Sequence, residues 1–195
     1  MNYTVLTESF SPPEIDKREI FRYMGVISSD NDTEKLTDLC LDEIKGSLKY
    51  NVCYCVTELE ITNNTADFGC TSITSDSLSK ALVNCERAVI FSATIGIEAD
   101  RLIAKYGKLS PSKALCFQAI GAERIEALCD EFCNKIKSEY GSITPRFSPG
   151  YGDLPLSFQR DIFGILGCEK RIGLTLNESL IMSPTKSVTA IIGIK

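Results

Sequence analysis

Ala88-Val89-Ile90-Phe91-Ser92-Ala93-Thr94 is an uncharged, largely apolar run of strand length. A segment that offers no side to water must be covered on both faces, so it reads as a central strand. Working outward, 97–106 has the Ile97, Leu102, Ile103 spacing of a helix, with Gly107 as its expected C-cap. Ser110 is the expected N-cap of a second helix, Pro111 suits its first position, and Gly141 stands just past its end. Within it Ile125, Leu128, Phe132 and Ile136 form one apolar stripe. Upstream, 14–25 and 33–48 read as helices, the second capped by Asp32 or Thr33, and 52–61 as a strand closed by Asn63-Asn64. Residues 78–85 and 157–166 read as short helices, and 174–176, 179–182 and 188–194 as short strands. Helices and strands without strict alternation favour an α+β fold with a mainly antiparallel sheet, taken as one domain over 1–195.

Composition narrows the function. The chain has 195 residues, 44% hydrophobic and 24% charged, a globular balance. Its net charge of -5, with no run of Lys or Arg longer than two, disfavours a nucleic-acid partner. No apolar stretch approaches a bilayer span of roughly 20 residues and no signal peptide opens the chain, so neither a membrane nor export is expected and a cytoplasmic location is. The absence of His removes Ser/His and Cys/His nucleophilic pairs. Nine cysteines, an odd number without Cys-x-x-Cys knuckles, read as reduced, apolar side chains and not as a metal site.

The chemistry concentrates in 142–155, a Pro- and Gly-rich loop that must be held by something other than regular structure. It contains Arg146-Phe147-Ser148-Pro149-Gly150-Tyr151. Arg offers a fork of donors matched to a carboxylate, Gly150 lets a ligand approach backbone, and Tyr151 adds a ring face and a hydroxyl. On composition alone the residue reads as an Arg that closes a turn against a carboxylate.

The spacing Arg146-x-x-x-Gly150-Tyr151 resembles the Arg-x-x-x-Gly-Tyr signature of the activation domain of cobalamin-dependent methionine synthase. Gly173 to Ser179, Met182-Ser183-Pro184 and Ser187-Val188 resemble further elements of that family in order and spacing. Ile15-Asp16 ahead of an N-terminal helix and the long helix carrying Glu126 resemble its arrangement upstream.

The resemblance implies a C-shaped α+β domain that binds S-adenosylmethionine. Arg146 would hold the methionyl carboxylate, Ser148, Gly150 and Tyr151 would complete the loop, and Asp16 and Glu126 would be acidic contacts. Read without it, Glu126 is a surface residue flanking the apolar stripe and Asp16 a helix cap. The implied role is reactivation. S-adenosylmethionine would be presented to cobalamin carried by a partner methionine synthase or corrinoid protein, with a flavodoxin-like electron donor. The alternative is a non-catalytic adaptor that caps a corrinoid domain without using S-adenosylmethionine. The family also has segments beyond its Ser-Val strand that supply an aromatic ligand contact, so a reshaped adenosine pocket is expected here.

Overall fold

The computed structural model describes residues 3–26 and 30–195. In chain order its elements are β1 (Leu6–Ser9), α1 (Lys17–Met24), α2 (Asn31–Ile44), β2 (Asn51–Glu58), β3 (Glu60–Thr62), β4 (Thr65–Asp67), β5 (Ser72–Thr74), α3 (Asp76–Ala81) and β6 (Arg87–Thr94). Then follow α4 (Glu98–Leu109), α5 (Pro111–Tyr140), a 3-10 turn at Leu156–Phe158, α6 (Gln159–Leu166), α7 (Cys168–Ile172), β7 (Thr175–Leu176), β8 (Met182–Ser183) and β9 (Ser187–Ile194).

The main sheet has the order β1-β2-β6-β9 and is antiparallel throughout. The apolar run therefore lies inside the sheet, as its composition requires. Side chains alternate across it. Val89, Phe91 and Ala93 face α5, whose Phe117, Ile120, Leu128, Phe132 and Ile136 fill that core. Ala88 and Ile90 face α6 and α7 through Leu154, Phe158, Ile162, Leu166 and Cys168. Phe132 is the hub of the first core, with ring centroids 4.8 Å from Phe91 and 5.0 Å from Tyr54. Truncating a buried Phe of this kind to Ala costs about 3–5 kcal/mol.

Several boundaries differ from the sequence reading, each for a local reason. The strand expected over 52–61 breaks at Leu59. Val52, Tyr54 and Val56 share one parity and Leu59 and Ile61 the other, and at this slip the chain leaves the main sheet for a second one, β3-β4-β5. Asn63 and Asn64 then turn the β3-β4 hairpin, both at positive φ (49° and 63°), in a two-residue loop. α2 is capped by Asp30, which accepts from the Thr33 amide, and not by Asp32 or Thr33. α3 begins at Asp76, not 78, because Ser75 caps it.

Helix α4 runs through Gly107 to Leu109. The stop comes from Pro111, which pushes Ser110 to extended backbone (φ -158°, ψ 88°) and starts α5 in the next step. Ser110 holds the N-cap position without a side-chain capping bond, and Gly141 ends α5 at φ 89°. The last strands are β7, β8 and β9 instead of 174–176, 179–182 and 188–194. All nine cysteines are free, and seven are buried. Among the described residues no helix is long and apolar enough to cross a membrane.

Candidate functional site

The Pro- and Gly-rich loop is held at both ends. On one side it pairs with the sheet edge: Phe147 and Ile191 exchange backbone hydrogen bonds of 2.9 Å, and the Thr144 amide donates to Gly193 O at 2.9 Å. On the other side Asp153 clasps α3. Its carboxylate accepts from the Ser75 hydroxyl (2.6 Å) and from the Asp76 and Ser77 amides (2.8 and 3.0 Å). The Ser75 hydroxyl foremost, then those two amides, hold the Asp153 carboxyl well below the usual carboxylate range. Gly152 lies against this clasp at φ +55°, where a Cβ would sit 2.4 Å from Ser77 Oγ.

This anchoring aims the side chains. Phe147 packs into the core beneath α6, so its neighbours Arg146 and Ser148 project the other way. Arg146 Nη2 meets Glu126 Oε2 and Asp130 Oδ1 on α5, both at 2.9 Å. Glu126 and Asp130 are four residues apart on one helix face, which lets a single guanidinium bridge them. The same loop, α5, α6 and β9 enclose a cavity of about 500 Å³, in the range of small-molecule sites. Arg146, Ser148, Tyr151 and Glu126 line it, together with Gln159, Met182 and Thr189.

Four of the six candidate residues therefore share one cavity. Gly150 lies in the loop but not on the cavity wall. Its positive φ of 94° lets its amide donate to Leu154 O at 2.9 Å, so its part is to shape the turn. Asp16 lines an adjoining hollow of about 340 Å³ that shares Glu126. Its carboxylate caps α1 by accepting from the Arg18 amide at 2.9 Å. Tyr151 is exposed and edge-on to Phe147, with centroids 6.5 Å apart.

Asp130, Gln159 and Thr189 were missed by the sequence reading. Asp130 carried a usable signal, its four-residue spacing from Glu126. Also unforeseen is the buried pair Glu123–Arg124 on α5. Arg124 donates to Pro13 O and Glu14 O and ion-pairs with Glu123, while the Asp16 amide donates to Glu123 Oε1 at 3.1 Å. This pair fastens the N-terminal segment to α5 and so places Asp16 beside Glu126.

A wider cleft of about 1010 Å³ lies between α6 and β7, where Arg160 donates to Glu178 O at 3.1 Å. Among the described residues no cluster of three or more His, Cys, Asp or Glu could hold a metal ion. Burial pushes the Cys133 thiol up to about 11 and the Cys55 thiol up to about 12, which keeps these two protonated at neutral pH.

Residues 75–194 match the family described as the activation domain of vitamin B12 dependent methionine synthase. The chain belongs to that family. The match covers β6, α5, the Arg146 loop and β9, hence every wall of the 500 Å³ cavity. The activation-domain fold is also seen in a solved structure, a crystal structure of the MetH reactivation domain bound to AdoHcy. It aligns with a TM-score of 0.76 at 15% identity, covering 98% of this chain and 78% of that one. No sequence among the curated proteins matches.

Proposed function

We propose that this activation-domain member binds S-adenosylmethionine in the Arg146 cavity and presents its methyl group to cobalamin held by a partner methionine synthase or corrinoid protein. The observation that carries the reading is the convergence of Arg146, Glu126, Ser148 and Tyr151 on one cavity within the family-matched segment. The residues suit the ligand. Arg146 supplies the fork for the methionyl carboxylate, and Glu126, with Asp16 from the adjoining hollow, supplies negative charge for the ammonium and sulfonium. Tyr151 and the turn set by Gly150 close over it. That the solved relative has S-adenosylhomocysteine bound, the product of methyl transfer, supports the same ligand class here.

The chain's contribution is to hold and orient the ligand, and the sequence holds no histidine to activate the hydroxyls of the cavity. The partner's cobalamin would supply the methyl-accepting chemistry, with one electron from a flavodoxin-like donor, and loss of the sulfonium methyl as a cation would leave S-adenosylhomocysteine held by Arg146 and Glu126. A soluble, cytoplasmic setting accords with this chemistry. The test is to incubate a cob(II)alamin-loaded partner with an electron donor and methyl-labelled S-adenosylmethionine, with and without this protein. Label on cobalamin only in its presence supports the proposal. Ligand binding without any label transfer, or partner binding without ligand binding, would leave only an adaptor.

A further inference from the structure

We infer that Gln159 and Thr189 contact the ligand in the Arg146 cavity, and that they recognise its neutral nucleoside end rather than its charged amino-acid end. This rests on the proposed function above. Gln159 is 6% exposed and Thr189 2%, yet Gln159 Oε1 and Thr189 Oγ1 have no hydrogen-bond partner among the described residues. A buried polar atom left unpaired works against folding unless a later partner uses it. Only one other such atom occurs among the described residues, Ser79 Oγ on α3, and Ser79 is not part of this cavity wall. The residues that carry two of the three orphans therefore line the same 500 Å³ space as Arg146, with the orphan atoms themselves buried in its wall.

Position and charge assign them to one end. Thr189 shares strand parity with Ile191, which packs beneath α6, and Gln159 is the first residue of α6. Arg146 and Glu126 instead meet on the α5 side. A carboxamide and a hydroxyl offer no countercharge, so burying an ammonium or carboxylate against them alone would be costly. The hydroxyls of a ribose and the amino edge of an adenine need no countercharge and match a carbonyl acceptor and a hydroxyl.

The test is calorimetric titration of the full chain, Gln159→Leu, Thr189→Val and Ser79→Ala with S-adenosylhomocysteine and with 5′-methylthioadenosine, which lacks the amino-acid end. Melting temperatures are measured without ligand. Each cavity variant is expected to bind both ligands about threefold to tenfold more weakly. Its melting temperature should be unchanged or higher, because an apolar replacement removes an unpaired polar atom. Ser79→Ala should bind as the parent does. Wild-type affinity in both cavity variants would overturn the inference and leave the proposed function standing. A loss confined to S-adenosylhomocysteine would overturn the nucleoside assignment, and a parent protein that binds neither ligand would overturn both readings.

Discussion

Arg146 reaches Glu126 and Asp130 through the same nitrogen, Nη2, at 2.9 Å each. Among the described residues no oxygen accepts from its Nε or Nη1, and the Cys129 thiol on α5 is another close neighbour, so part of the fork remains open while two carboxylates hold it in place. The side chains of Glu126 and Asp130 are 45% and 68% exposed and that of Arg146 24%, so solvent screens the carboxylate end of both pairs and holds their contribution to about 1 kcal/mol each. The guanidinium is thus held at the cavity wall by pairs that contribute little to the fold.

Arg146→Ala should therefore weaken S-adenosylmethionine binding by about tenfold to a hundredfold, the equivalent of roughly 1.5–3 kcal/mol for a charge-assisted fork. Tyr151→Phe should cost tenfold at most, since it removes one neutral hydroxyl. Melting temperature should hardly move in either. An unchanged affinity with a large thermal loss for Arg146→Ala would make the residue a loop closure.

The loop clasp gives a pH-dependent prediction. Asp153 has its carboxyl depressed in the folded protein, so the stability it contributes is present above its unfolded value of about 3.9 and is lost as pH falls below that. Asp153→Asn should melt earlier than the parent at neutral pH, and the gap should narrow under acid. The narrowing should begin at about pH 4 and continue into strong acid, and a gap that does not narrow at all on acidification would place the effect elsewhere. Gly152→Ala should strain the same clasp by about 1–3 kcal/mol, through its positive φ and the contact with Ser77.

Much of this architecture is legible in the chain. The run 88–94 marks the buried strand, and Ser110-Pro111 and Gly141 bracket α5 almost to the residue. What escapes is set by contacts distant in sequence. Leu6–Ser9 shows no alternation because it is an edge strand, exposed over most of its length, and it forms only by pairing with β2. The β3-β4-β5 sheet is signalled only by the change of parity at Leu59, since its strands are three residues long each. In the site, Arg146 and its loop stand out by motif, whereas Gln159 and Thr189 are ordinary polar residues until the fold buries them side by side with the cavity.

The pair Glu123–Arg124 predicts a stability effect remote from the ligand. With the side chains 5% and 3% exposed, Glu123→Ala would strand a buried guanidinium and should cost about 3–5 kcal/mol in urea unfolding. A loss below about 1 kcal/mol would mean that water reaches Arg124. Treatment with chelators should leave the melting temperature unchanged, because the cysteines act as apolar packing; stoichiometric zinc lost together with the fold would contradict that.

The most direct measurement is a calorimetric titration of the folded wild-type protein with S-adenosylmethionine. The account predicts saturable binding at one ligand per chain, displaced by S-adenosylhomocysteine. No heat and no thermal shift at millimolar ligand, with the fold verified by circular dichroism, would contradict it.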